Sequence, residues 1–252
     1  MNLEIQQTDL QNILHLRDLF LQECNFQVRY NACHERGWTD SYLIKAENNV
    51  IGYGSIKGKE ELSDRDAIFE FYVMPAWRKD SSKIFKELIV ASKAGYIECQ
   101  TNDLILSPML YEFASNIYSD VILFKDGPVT NLFIPGATFR EWHEGDNLFE
   151  HKAEPEGSHV IEFNGEIVAT GGFLLHYNKP FADLYMEVKE DQRRKGFGSL
   201  LIQEVKKACL QTGRVPAART GVDNKASKAT LLKGGLSIAG YMLTGEIKSR
   251  RM

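Results

Sequence analysis

Five residues after a valine that closes a strand-like run, an arginine leads into a helix-like stretch, and the chain does this twice. Val73 stands to Arg78 as Val188 stands to Arg193, and the two pairs lie 115 residues apart. The apolar spacings around each pair predict one order of elements: hairpin, strand, helix, strand, helix, strand. In the first half, strands are expected at 2–5, 42–45, 50–56, 67–74, 96–99 and 121–124. Helices are expected after Asp9, as N-cap, and at 83–94 and 108–117. In the second half, 159–163 and 166–175 form a hairpin across Asn164-Gly165, a pair that favours a tight turn. Strands follow at 182–188 and 217–222, helices at 198–210 and 224–233, and extended chain at 236–247. The polar stretch 136–157 reads as irregular, with one helix near 138–143. Lys125-Asp126-Gly127-Pro128 is a turn signal, so the expected division is 1–126 and 127–252. The fold class that follows is α/β (α+β), in two tandem lobes, and 252 residues suit that division.

Composition narrows the function. Thirty basic residues against 34 acidic ones give a formal charge of -4, the wrong sign for a surface that binds nucleic acid non-specifically. The first ten residues lack the basic and apolar regions of a secretory leader, and no apolar run approaches the roughly 20 residues of a membrane span. A cytoplasmic protein with no membrane partner is the expectation. Cys24, Cys33, Cys99 and Cys209 include no pair at two-residue spacing, and the six histidines form no His-x-x-x-His pair. Free thiols and no metal are expected.

The most informative segment runs from Val188 through Arg193, Arg194, Lys195, Gly196, Phe197, Gly198 and Ser199 to Leu201. A strand ends, a basic loop with two glycines follows, and a helix begins. Glycine lets a ligand approach the backbone closely. The amides at a helix N-terminus, aided by the helix dipole, attract an anion. By physics alone this is a cradle for a pyrophosphate, and a side chain at Gly198 is expected to enter the anion's space. A dinucleotide-binding oxidoreductase would want a third glycine and no leading arginine.

Arg193-x-x-Gly196-x-Gly198 after a strand ending in Val188 resembles the coenzyme A signature of the GCN5-related N-acetyltransferases, the GNAT family. Asn224-x-x-Ser227 at the head of a helix, with Gly235-Leu236 beyond it, resembles that family's later pattern. The signature resemblance covers about residues 158–247, and the first half echoes it only in its order of elements. The resemblance implies a mixed, largely antiparallel sheet flanked by helices, splayed between its fourth and fifth strands, with acetyl-CoA wedged into the splay. It implies that the backbone of Met186, Glu187 and Val188 pairs with the pantetheine arm like an added strand. The amides of Arg194, Lys195, Gly196, Phe197, Gly198 and Ser199 would hold the pyrophosphate. Asn224, followed by Ser227, would bond the cofactor near its thiol, and its carboxamide is equally suited to cap its helix.

The implied reaction is acetyl transfer from acetyl-CoA to an amine of a small molecule or protein. It needs a base for the ammonium and a proton for the departing thiolate. Glu187 and Asp183, on one face of the fourth strand, are the candidate carboxylates. The family often carries a tyrosine seven residues after the helix-head asparagine; that position is Leu231 here, which leaves Tyr241 or Tyr185 as substitutes. In the first half, Ser81 and Lys83 stand where the glycines would be, and Asp80 adds a like charge. That lobe reads as a degenerate copy without the cofactor. The alternative function is a catalytically silent acyl-CoA-binding or scaffold protein.

Overall fold

The computed structural model describes residues 2–24 and 30–248, which fall into two compact units. The first gathers the described residues up to 24, then 30–120 and 240–248; the second is 121–239. The boundary differs from a cut after residue 126 in two ways. Residues 121–126 lie in the second unit, and the chain from Gly240 onward returns to the first.

In the first unit, β1 (Leu3–Thr8), β2 (Thr39–Ala46), β3 (Asn49–Lys57), β4 (Ala67–Val73), β5 (Tyr96–Gln100) and the later part of β12 (Leu236–Ile247) are hydrogen-bonded in the order β1-β2-β3-β4-β5-β12. All neighbours are antiparallel except β4 and β5, which pair in parallel only at Ala67↔Tyr96 and Ile68↔Ile97. α1 (Leu14–Glu23), α2 (Tyr30–Glu35), α3 (Ser81–Ser92) and α4 (Leu106–Phe113) complete the unit. On α3, Ile84, Phe85 and Leu88 recur at helical spacing and are fully buried. Phe85 meets Phe71 of β4 edge-on, with centroids 4.8 Å apart. Gly54 of β3 is glycine because any Cβ there would lie 2.3 Å from Leu88.

In the second unit, the latter part of β6 (Ala114–Asp126), β7 (Ala137–Glu141), β8 (His159–Phe163), β9 (Glu166–Leu174), β10 (Phe181–Val188) and β11 (Val215–Gly221) run in the order β6-β11-β10-β9-β8-β7. Only β10 and β11 are parallel. α5 (Phe197–Gln211) buries Leu201, Ile202, Val205 and Cys209 fully, and α6 (Lys225–Lys233) follows β11.

Several expectations are corrected. Residues 137–141 form strand β7, paired to β8 from Ala137↔Phe163 to Glu141↔His159, where a helix was expected. Asp9 makes no side-chain cap, and a 3-10 turn at Leu10–Asn12 precedes α1. β6 is 13 residues long rather than four. Gly198 has a packing role besides the one expected of it: a Cβ there would lie 3.1 Å from Thr230 Cγ2, 3.2 Å from Val188 Cγ2 and 3.3 Å from Met186 Sδ. Its missing side chain lets α5 sit on β10.

Two buried charges organise these units. In the first, Arg17 Nε and Nη2 each donate to the Glu70 carboxylate at 2.9 Å. Tyr53 Oη donates to Glu70 Oε2 at 3.0 Å, and His34 Nε2 meets the same oxygen at 3.0 Å. In the second, the buried Lys206 amine reaches Asp126 Oδ1 (2.8 Å) and the carbonyls of Gly127 and Pro128 (3.0 Å each) and Gly235 (2.7 Å). One ammonium thus ties α5 to the chain on both sides of it. Gln203, one turn earlier, bonds the backbone of Leu132 through both ends of its amide.

Burial alone would raise the Glu70 pKa, but Arg17 and His34 more than reverse this and hold it at about 2, against 4.5 when free. A depressed carboxylate pKa contributes stability above its unfolded value and loses it as the pH falls. We therefore expect an acid-sensitive component of stability between about pH 4.5 and 2 that is missing in Glu70→Gln. At neutral pH that variant strands Arg17 and should lose about 3–5 kcal/mol by denaturant titration. A wild-type acid limb shared by the variant would contradict this. Gly198→Glu should destabilise the fold itself, by about 2 kcal/mol or more, because its Cβ already meets three side chains. An unchanged melting temperature would contradict that packing.

Candidate active site

β10 pairs with β9 along Asp183–Val188, but its parallel ladder with β11 consists of Phe181↔Val215, Ala182↔Pro216 and Asp183↔Ala217. Beyond Asp183 the strands part, and β11 continues beside β6 to Gly221↔Val121. From Leu184 to Val188, β10 therefore has one edge outside any ladder. Those five residues include Met186, Glu187 and Val188, the three expected to pair with an extended ligand.

The free edge leads into the basic loop. A 3-10 turn at Glu190–Gln192 is followed by Arg193, whose Nε donates to Val188 O at 3.1 Å. Arg194 then adopts φ +64° and Gly196 φ +93°, and α5 starts at Phe197. Backbone that moves in and out of the left-handed region turns successive amides toward a common point, the geometry of an anion nest. Leu200 N is the first amide to close an α-helical bond in α5, on Gly196 O at 3.0 Å, and no side chain caps Gly196. The amides of Phe197, Gly198 and Ser199 thus have no partner inside the helix. Arg193, Arg194 and Lys195 are exposed beside them.

In the first unit, Arg78 Nε donates to Val73 O at 2.9 Å, the same bond that Arg193 makes to Val188. The surroundings differ. Arg78 also bonds Glu23, which accepts from Tyr72 Oη at 2.8 Å, so its charge is neutralised. A 3-10 turn at Pro75–Asp80 runs directly into α3, and none of these residues has a positive φ.

The other expected site residues are placed as follows. Asn224 caps α6, its Oδ1 accepting from Ser227 N at 3.0 Å. Leu231 is buried in α6. Tyr241 lies in the part of β12 that belongs to the first unit, where its N–H donates to Thr101 Oγ1 at 3.0 Å. Tyr185 Oη donates to Glu156 O at 3.3 Å, and Asp183 Oδ2 meets His176 Nε2 at 3.1 Å.

Glu187 is occupied in a way the sequence did not suggest. Its buried carboxylate accepts from the backbone amides of Lys152 (3.1 Å), Ala153 (3.0 Å) and Glu154 (3.0 Å). Burial opposes its charge, but these amides and His151 outweigh it, and the pKa lies below the ordinary carboxylate value. A carboxylate committed to three donors is poorly suited to take a proton. The loop it holds reads from sequence as polar and irregular; a second acid on the same face of β10 as Asp183 was the available signal. Lys206 was missed likewise, though it falls four residues after Ile202 on the buried face of α5. Among the described residues, no group of His, Cys, Asp and Glu is arranged to hold a metal ion, and no helix is long and apolar enough to cross a membrane.

Residues 125–234 match the family model described as Acetyltransferase (GNAT) family. Several solved structures have a similar fold. A GNAT-family acetyltransferase from Colwellia psychrerythraea aligns with TM-score 0.75 at 14% identity, covering 97% of this chain and 100% of that one. A GCN5-related N-acetyltransferase from Sphaerobacter thermophilus aligns with TM-score 0.59 at 13% identity, covering 98% and 96%. A tandem GNAT protein from the clavulanic acid biosynthesis pathway aligns with TM-score 0.54 at 12% identity, covering 99% and 100%. No curated protein matches the sequence. The free edge of β10 and the nest at the start of α5 both fall within residues 125–234, the part of the chain that matches the GNAT acetyltransferase family model.

Proposed function

We propose that the chain is an acetyl-CoA-dependent N-acetyltransferase whose cofactor site lies in the second unit. The observation that carries this reading is the free edge of β10 leading into the left-handed turn before α5. The edge offers alternating donors and acceptors to an amide-containing arm. The nest offers amides and basic side chains to a pyrophosphate at the end of that arm. Met186, Glu187 and Val188 contribute backbone; Arg193, Arg194, Lys195, Gly196, Phe197, Gly198 and Ser199 form the cradle. Asn224 and Ser227 stay near the thiol end in this proposal, with Asn224 Oδ1 already committed to its helix.

Acetyl-CoA supplies a thioester, whose acyl carbon accepts an amine lone pair and whose thiolate departs. The protein must hold the acyl group, desolvate the amine and take its proton. A thiol with pKa near 8.5 leaves without an obligatory acid, so the leucine at position 231 does not forbid turnover. The same leucine supports a second reading, a silent acyl-CoA-binding protein; thiol release from acetyl-CoA in the presence of amines separates the two. In the first unit, Arg78 is neutralised and its loop contains no left-handed residue, which supports a copy that has lost the cofactor.

A ligand at about 100 times its dissociation constant adds about 2.7 kcal/mol. Acetyl-CoA should therefore raise the melting temperature by roughly 5–10 °C for a chain of this size. Calorimetry should give one site per chain, and Arg194→Glu/Lys195→Glu should weaken it at least about tenfold, equivalent to 1.4 kcal/mol, without lowering the melting temperature of the free protein. No heat and no thermal shift at millimolar acetyl-CoA would overturn the reading. Two sites per chain would overturn the account of the first unit.

A further inference from the structure

The loop that Glu187 holds is fastened at three places. His151 Nε2 meets Thr170 Oγ1 of β9 at 2.5 Å. The amides of Lys152, Ala153 and Glu154 converge on the Glu187 carboxylate. Glu156 O accepts from Tyr185 Oη. These ties lie on the face of β10 away from α5, because strand alternation sends Met186 and Val188 toward Gly198 and sends Asp183, Tyr185 and Glu187 the other way. Asp183 is the last β10 residue paired to β11, so this face overlies the point where the strands part.

The Glu154 side chain belongs to the same face. Burial pushes its pKa up, Asp183 and Glu187 push it further, and Arg219 of β11 opposes them. The other titratable groups here are Tyr185, which feels Glu154, His176 on Asp183, His151 in the loop, and Arg193, 4.0 Å from Glu187. Unlike Glu187, Glu154 has its backbone rather than its carboxylate fixed by the loop. Its backbone is held in place while the residue as a whole keeps contact with solvent and its carboxyl group is partly desolvated.

We propose that Glu187 is a positioning residue that fixes the loop through three amides, and that Glu154, so placed beside the parting of β10 and β11, is the carboxylate that deprotonates the acceptor ammonium. This rests on the acetyl-transfer reading above. The ammonium gives one proton to Glu154, and the freed lone pair forms the C–N bond to the acyl carbon. The C–S bond breaks with its electron pair on sulfur. The second proton shed by nitrogen goes to that thiolate, and Glu154 returns its own to solvent. Asp183, engaged by His176, remains a neighbouring charge.

The test uses the full chain as wild type, Glu154→Gln, Glu187→Gln and the double variant. Amide hydrogen exchange reads the loop, calorimetry reads acetyl-CoA, and thiol release reads turnover with putrescine, phenethylamine and a lysine-containing peptide. Glu187→Gln should speed exchange at 152–154 at least tenfold. Glu154→Gln should lower kcat/KM for the amine about 100-fold at pH 7. The deficit should shrink toward pH 10, where the amine supplies its own free base. The double variant should be no slower than Glu154→Gln alone, because one residue acts through the other. Equal exchange at 152–154 in wild type and Glu187→Gln overturns the positioning role whether or not any amine is acetylated. Full turnover by Glu154→Gln at pH 7, a pH-independent loss, additive losses, or a wild type that binds acetyl-CoA and acetylates none of these amines overturns the role of Glu154 alone. A wild type that does not bind acetyl-CoA overturns the underlying reading.

Discussion

Three parallel residue pairs join β10 to β11, and after Asp183 the strands separate while each stays paired on its other side. That divergence is the constraint on which the site depends. A strand edge carries backbone groups that need partners, and an edge left open inside a folded unit is a template for an extended ligand. Leu184 to Val188 spans about 17 Å at roughly 3.3 Å per residue, which suits a long flexible arm better than a compact molecule. The nest at Arg194 and Gly196 stands at the end of that edge, where an anionic group at the tip of the arm would arrive. Gly198 allows this junction by letting α5 close on Met186 and Val188.

The two units share a construction and differ in its electrostatics. Both have one parallel strand pair that ends early, and both place an arginine whose Nε grips the carbonyl of the valine five residues before it. In the first unit the remaining charge of that arginine is taken up by Glu23, and its helix starts without a left-handed turn. Tyr30, fully buried, packs edge-on against Phe69 at 4.9 Å and points its hydroxyl at Met242 Sδ, 3.9 Å away. The first unit fills its interior with aromatic side chains and a buried ion pair. The second leaves an edge, three exposed cations and a set of helix-end amides. The same frame thus supports a self-contained core in one unit and the properties of a ligand site in the other.

What was legible in the sequence follows the range of the interactions. Strands β4 and β10 and helices α3 and α5 could be read because their burial repeats at the periods of the backbone, as Ile84, Phe85 and Leu88 illustrate. The turn before α5 could be read because glycine acts locally on the backbone. β7 could not: its partner β8 lies about 20 residues on, and the short segment from Ala137 to Glu141 is too polar to alternate clearly. The Arg17–Glu70 pair spans 53 residues and the Glu187 loop contact about 34, so neither leaves a local pattern. At Gly198 the structure adds a packing reason for the missing side chain, since a Cβ there would crowd Thr230, Val188 and Met186. The positive φ angles in this loop fall at Arg194 and Gly196.

The account stands on where acetyl-CoA binds, and a crystal structure of the chain grown with acetyl-CoA tests that directly. The account predicts one cofactor, its pantetheine arm hydrogen-bonded to β10 between Leu184 and Val188 and its pyrophosphate on the amides that follow Arg193. A cofactor bound elsewhere on the second unit, or a β10 edge closed against protein in the complex, would contradict it.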